Sequence, residues 1–158
     1  MIKPIFVTAA LAFVTIAVAS AQTPPADAPP SLRLGLGDLM TMLVQPRHIK
    51  VGLGGQLRNW DYVAYEIHEL EEAFERIERA VPRYRNVAMS DLLKLVQPSI
   101  EALEASVKAR DGAQLDVAYD QLTQACNACH RSTEHAMIVI QAPKISPFPD
   151  QNFAPPTR

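Results

Sequence analysis

Residues 60–81 read WDYVAYEIHELEEAFERIERAV, and the spacing within them decides the fold class. Trp60, Val63, Ile67, Leu70, Phe74, Ile77 and Val81 recur at alternating intervals of three and four, the period of one apolar helical stripe. The opposite face carries Glu66, Glu71, Glu72, Glu75, Arg76 and Arg79, and Pro82 stops the pattern. A helix of this kind gains most of its stability by laying its stripe on partner helices.

The flanking sequence supplies those partners. A first helical stretch is predicted over Gly37–Val51, with Leu39, Met40, Met42, Leu43, Val44 and Ile49 as its apolar residues. Pro46 should kink it or mark an early turn, and Gly52, Gly54 and Gly55 should loosen or end it. Residues 83–89 form a connection. Ser90 and Asp91 are N-cap candidates for a third helix, in which Leu93, Val96, Ile100, Leu103 and Val107 continue the heptad and Pro98 imposes a kink or a broken first turn. Asp111-Gly112 ends it. A fourth helix begins near Ala113, carries Leu115, Ala118, Leu122, Ala125 and Cys129 on one stripe, and continues through Glu134 toward Ile140. Beyond Pro143, four further prolines exclude helix, and Phe148 and Phe153 either pin this tail to the body or leave it free. There are no tandem repeats and no alternating strand patterns. Four amphipathic segments with short links predict an all-α fold, an antiparallel up-down-up-down four-helix bundle.

The chain opens with Lys3, an apolar run from Ile5 to Val18 and then Ala19-Ser20-Ala21, which reads as a secretory signal peptide over residues 1–21. The alternative, a retained membrane anchor, fits less well because a bilayer span needs about 20 apolar residues. Residues 22–34 read as a disordered Pro/Ala-rich linker, 35–141 as the helical domain and 142–158 as a Pro/Phe-rich tail. With 15 basic and 17 acidic residues the net charge is −2, which gives no reason to expect a nucleic-acid partner.

Cys126-Asn127-Ala128-Cys129-His130 is the chemistry-bearing motif, and it holds both cysteines of the chain. C-x-x-C-H is the attachment signature of c-type haem. Two thiols one helical turn apart can each add to a vinyl group, and the adjacent imidazole then becomes the proximal iron ligand. Other readings of C-x-x-C carry less weight. A redox dithiol wants a βαβ context that is not visible. A zinc site would have to recruit His130 and His135 from the same short stretch, which closes a tetrahedron poorly. A disulfide between cysteines three apart in a helix is strained. Covalent haem attachment also belongs outside the bacterial cytoplasm, so the export signal and the motif agree.

An exported chain with four helical segments and Ala125-Cys126-Asn127-Ala128-Cys129-His130 near its C-terminal end resembles the class II c-type cytochromes, the cytochrome c-prime type. The resemblance spans roughly residues 35–140 by helix order rather than by close identity. It implies a left-handed four-helix bundle with one covalent haem c, Cys126 and Cys129 as thioether anchors and His130 as proximal ligand. The chain departs from the pattern in its Gly-rich first hairpin, its prolines within helical stretches and its tail.

In such a bundle the end of helix four lies beside the start of helix one, so the distal residue should come from there. Met40 is the leading candidate for a distal iron ligand, Met42 the second, and core packing without ligation the alternative for both. His48 reads as a solvent or interface histidine beside Arg47 and Lys50. His68 reads as surface or hydrogen-bonded core, and His135, on a continuing helix, as a propionate contact or an exposed group. Arg33, Arg47, Arg76 and Arg79 could pair with haem propionates, or simply be solvated charges.

No acid, base or nucleophile constellation is visible, so an enzyme is not expected. The leading functional expectation is a periplasmic monohaem cytochrome passing single electrons by Fe(II)/Fe(III) cycling to redox partner proteins. It would have no membrane span after signal cleavage, and a homodimer is left open. A five-coordinate haem protein binding NO or CO is the alternative, and a non-haem helical interaction module is a third reading.

Overall fold

A computed structural model of the chain describes residues 34–157. The expected signal peptide (1–21) and the expected linker as far as Arg33 lie outside the described residues. The described unit is mostly helical, with one two-stranded ladder. The first stretch runs without interruption through α1 (Leu36–Leu39), a π-helical turn (Met40–Val44) and α2 (Gln45–Gln56). Then come α3 (Trp60–Ala80), β1 (Arg83–Tyr84), β2 (Val87–Ala88), α4 (Met89–Leu93), α5 (Gln97–Ala109) and α6 (Gly112–Ser132).

The π turn is the structural answer to Pro46. A proline inside a helix has no N–H to donate four residues back, and its ring crowds that carbonyl. Here the Gln45 N–H reaches the Met40 carbonyl, five residues back, so the register widens just before Pro46 and the helix continues. The three glycines do not end the helix, contrary to expectation. Gly52 and Gly54 are helical positions where neighbouring helices come close. A Cβ at Gly52 would lie 2.5 Å from Tyr119 Oη of α6, and one at Gly54 would lie 2.8 Å from Tyr62 Cδ1 of α3.

The α3 stripe forms the centre of the core: Val63, Ile67, Leu70, Phe74 and Ile77 are all buried. Asn59 caps the helix, its Oδ1 accepting from the Tyr62 N–H. The long helices make a closed set of contacts, α2 on α3, α3 on α5, α5 on α6 and α6 on α2. Arg58, at φ 56° in the left-handed region, turns the chain from α2 into α3. It also donates to the Gly112 carbonyl and both Asp116 carboxylate oxygens at the start of α6.

The third segment differs from expectation. Ser90 and Asp91 lie inside α4 rather than capping a long helix; its N-cap is Ala88, which has no capping side chain. The chain breaks at Lys94–Val96 and restarts as α5 with Pro98 in its first turn, where a missing N–H costs nothing. The connection at 83–89 contains a short antiparallel pairing, Arg83 with Ala88 and Tyr84 with Val87. Helix α6 stops at Ser132, short of the expected Glu134, because Glu134 turns left-handed at φ 65°.

The tail is held. Phe153 is buried and packs edge-on to Tyr62 at 5.6 Å, Asn59 Nδ2 donates to the Phe153 carbonyl, and Gln151 Nε2 donates to Tyr62 Oη. Lys50 Nζ lies 5.1 Å from the Phe148 ring centroid. No helix among the described residues is long and apolar enough to cross a membrane.

Candidate functional site

A cavity of about 630 Å³ opens where the first helical stretch, α3, the 84–96 region and the end of α6 converge. This is within the range of about 300–1,000 Å³ usual for cofactor and ligand sites. Its wall brings Met40, from the first helical stretch, together with Cys126, Cys129 and His130 of the motif, more than 80 positions later. Val44, Phe74, Met89, Leu92 and Val96 make much of the remaining surface apolar. Met42 is not part of it: its side chain points outward and is 60% exposed. Met89, almost wholly buried, also lines the cavity and was not singled out from the sequence, because residues 83–89 read as a bare connection.

The motif residues sit in the last turns of α6, so their relative placement follows from helix geometry. Both cysteines are free thiols packed against the core. Burial pushes the Cys126 thiol up to about 11 and raises Cys129 as well. A redox-active dithiol shows the opposite direction, because its attacking sulfur must ionise near neutrality.

His130 is oriented by a single bond. Its Nδ1 lies 2.8 Å from the carbonyl oxygen of Ile138. A carbonyl only accepts, so Nδ1 carries a proton, and in the neutral ring Nε2 keeps the lone pair. That is the tautomer a metal-binding imidazole needs, and a backbone carbonyl on the far nitrogen is the usual way of fixing it.

His48 departs from the sequence expectation. It is 4% exposed and lines the same cavity. Its Nε2 lies 2.9 Å from Thr123 Oγ1, and Tyr119 Oη lies 3.2 Å from its Nδ1. Thr123 Oγ1 donates to the Tyr119 carbonyl, so it accepts from His48 Nε2–H. Burial pushes the imidazole down to about 4, leaving it neutral. His68 is on the surface near Glu72. His135 lies beyond the end of α6, not on it; it lines the cavity with Tyr84, whose Oη is 3.3 Å from His135 Nε2.

Three of the arginines considered for propionates, Arg47, Arg76 and Arg79, lie elsewhere. Arg47 pairs with Glu66 at 3.0 Å and Glu69 at 2.9 Å, Arg76 with Glu72, and Arg79 with Glu75 at 3.2 Å. None of these three lines the cavity. The i,i+4 spacing of the last two pairs was readable in the α3 sequence as helix-surface chemistry.

The residues present fit a covalent haem by the chemistry of their donor set. Two adjacent-turn thiols and an imidazole with a free Nε2 face a mainly apolar cavity. Among the described residues, no cluster of three or more His, Cys, Asp or Glu side chains could hold a bare metal ion. No protein-family model, curated protein or solved structure matches the chain.

Proposed function

We propose that the protein is an exported, periplasmic c-type cytochrome that carries one covalent haem and passes single electrons between redox partner proteins. In this reading α1–α2, α3, α5 and α6 are the four helices of an antiparallel up-down-up-down bundle of the class II type. The observation that carries the proposal is the C-x-x-C-H motif on the cavity wall with His130 Nε2 left as a free donor by the Nδ1 bond to Ile138. Bound haem would supply a one-electron iron couple at this site. Cys126 and Cys129 would anchor it through thioethers and His130 would be the proximal ligand. Met40 would be the sixth ligand, a thioether that favours the reduced iron and raises the potential. The apolar wall around Val44, Phe74, Leu92 and Val96 would exclude water and stabilise the less charged state of the site. In this scheme the protein is an electron carrier, with no acid, base or nucleophile acting.

Haem staining after denaturing electrophoresis of the exported protein tests the attachment. A band that stains supports it, and a band that does not leaves the chain as a non-haem helical module. Optical spectra of both redox states test the ligands. The oxidised protein should show a low-spin spectrum with a methionine–iron charge-transfer band, and Met40→Ala should abolish that band and give high-spin features. High-spin features already in the parent, with rapid CO binding on reduction, would replace electron transfer by gas binding at a five-coordinate iron.

A further inference from the structure

The Ile138 carbonyl that orients His130 belongs to a segment with little apolar burial to hold it there. Met137 is 78% exposed, Ile138 48% and Val139 73%, so burial does not fix the register of this stretch. Hydrogen bonds do. Beyond α6, Glu134 turns left-handed, the His135 N–H donates to the His130 carbonyl at 2.7 Å, and the Ile138 N–H donates to the His135 carbonyl at 2.8 Å. The chain then runs back beside the last turns of α6. There the Asn127 side chain meets the backbone of Ile140 twice: Nδ2 donates to the Ile140 carbonyl at 2.8 Å, and the Ile140 N–H donates to Oδ1 at 2.8 Å. A side-chain amide thus makes the reciprocal pair that one residue of an antiparallel strand makes with its partner. Its orientation is unambiguous, since a flipped amide would oppose two donors and two acceptors. Asn127 and His130 are three apart on the helix and share a face, as Ile140 and Ile138 share the returning segment.

We propose that Asn127, a variable position within the C-x-x-C-H signature, is a positioning residue for His130. By clamping Ile140 it holds the Ile138 carbonyl against His130 Nδ1, and so fixes the tautomer and the donor strength of the imidazole toward iron. Ile138 and Ile140 also line the cavity, so the same clamp holds one of its walls in place. The inference rests on the haem reading above. A hydrogen-bonded imidazole is the stronger donor and favours Fe(III), so loss of the clamp should raise the midpoint potential.

The test compares the haem-loaded parent with Asn127→Ala and with Gln56→Ala. Gln56 holds the same tail through the Pro143 carbonyl at 2.9 Å but does not touch the Ile138–Ile140 stretch. Asn127→Ala should shift the Fe(III)/Fe(II) equilibrium toward Fe(II), each tenfold shift reading as a rise of about 59 mV for one electron. Gln56→Ala should leave the potential unchanged. In the parent itself, the Ile140 amide and the His130 Nδ1 proton should be protected from exchange with solvent, which keeps the proposal testable if Asn127→Ala does not fold. An unshifted potential in Asn127→Ala, an equal shift in Gln56→Ala, or unprotected exchange at both sites overturns the positioning role while the haem reading stands. A parent that carries no covalent haem overturns both.

Discussion

At the scale of single residues, His48 is the least expected feature of the site. It follows Arg47 and precedes Ile49 and Lys50, a context that reads as surface, yet it is buried against α6. Nothing in the local pattern announces this, because its partners Tyr119 and Thr123 lie more than 70 positions away and reach it only once α2 and α6 are packed. The consequence is a defined pH dependence. The unfolded imidazole titrates at its ordinary 6.5 and the folded one at about 4, so between these values the unfolded state binds the extra proton. Stability is therefore complete above about pH 6.5 and falls as pH drops toward 4, by on the order of 1 kcal/mol per pH unit. Denaturant unfolding at pH 7, 5.5 and 4.5 should show this slope. His48→Gln, which has no such proton to bind, should flatten it while being less stable at pH 7.

At the scale of elements, two glycines in the first helical stretch should respond to the same substitution with opposite signs. Alanine is favoured over glycine in a helix by about 1 kcal/mol. At Gly37 a Cβ meets nothing within 4 Å, so Gly37→Ala should raise the thermal midpoint. At Gly54 a Cβ would meet Tyr62 Cδ1 at 2.8 Å and Val63 Cγ2 at 3.1 Å, so α2 and α3 would have to part. Gly54→Ala should lower stability by about 1–3 kcal/mol, the usual cost of overpacking a contact. Thermal melts of the two variants decide it.

The same contrast explains which elements the sequence announced. The α3 stripe was legible because seven apolar residues repeat over six turns and charge fills the other face. The start of α6 was legible because Asp111 caps it, accepting from the Ala113 and Gln114 N–H groups. The extension of α2 through Gly52, Gly54 and Gly55 was not, since a glycine that ends a helix and one that admits a neighbouring ring look alike until the ring is placed. The π turn was hidden for a similar reason: Pro46 signals a disturbance but not that the helix absorbs it by widening one turn. Of the candidate site, the motif and Met40 were readable from spacing and helix order. Met89 and Tyr84 were not, because a short irregular stretch carries no period to read.

At the scale of the whole molecule, the tail closes the first helical pair from outside while the cavity lies among the helices. Gln56, Asn59, Tyr62 and Lys50 each hold a different tail residue, so the segment from Pro143 to Phe153 spans both α2 and α3. Phe153 is the anchor, 5% exposed and hydrogen-bonded through its own carbonyl to Asn59. Truncating a buried phenylalanine costs about 3–5 kcal/mol. A residue in an irregular segment should cost less than that range's middle, because the segment can detach locally rather than leave a cavity. Phe153→Ala should therefore destabilise by about 2–3 kcal/mol and expose the Phe148–Phe153 stretch to proteolysis. No residue beyond Ile140 lines the cavity, so, if haem is bound as proposed, the same variant should leave the optical spectrum unchanged. Limited proteolysis, thermal unfolding and the spectrum, measured on one preparation, separate the two roles. A spectral change with Phe153→Ala would mean that the tail transmits strain through α2 to the π turn that carries Met40, and that the tail and cavity act as one unit.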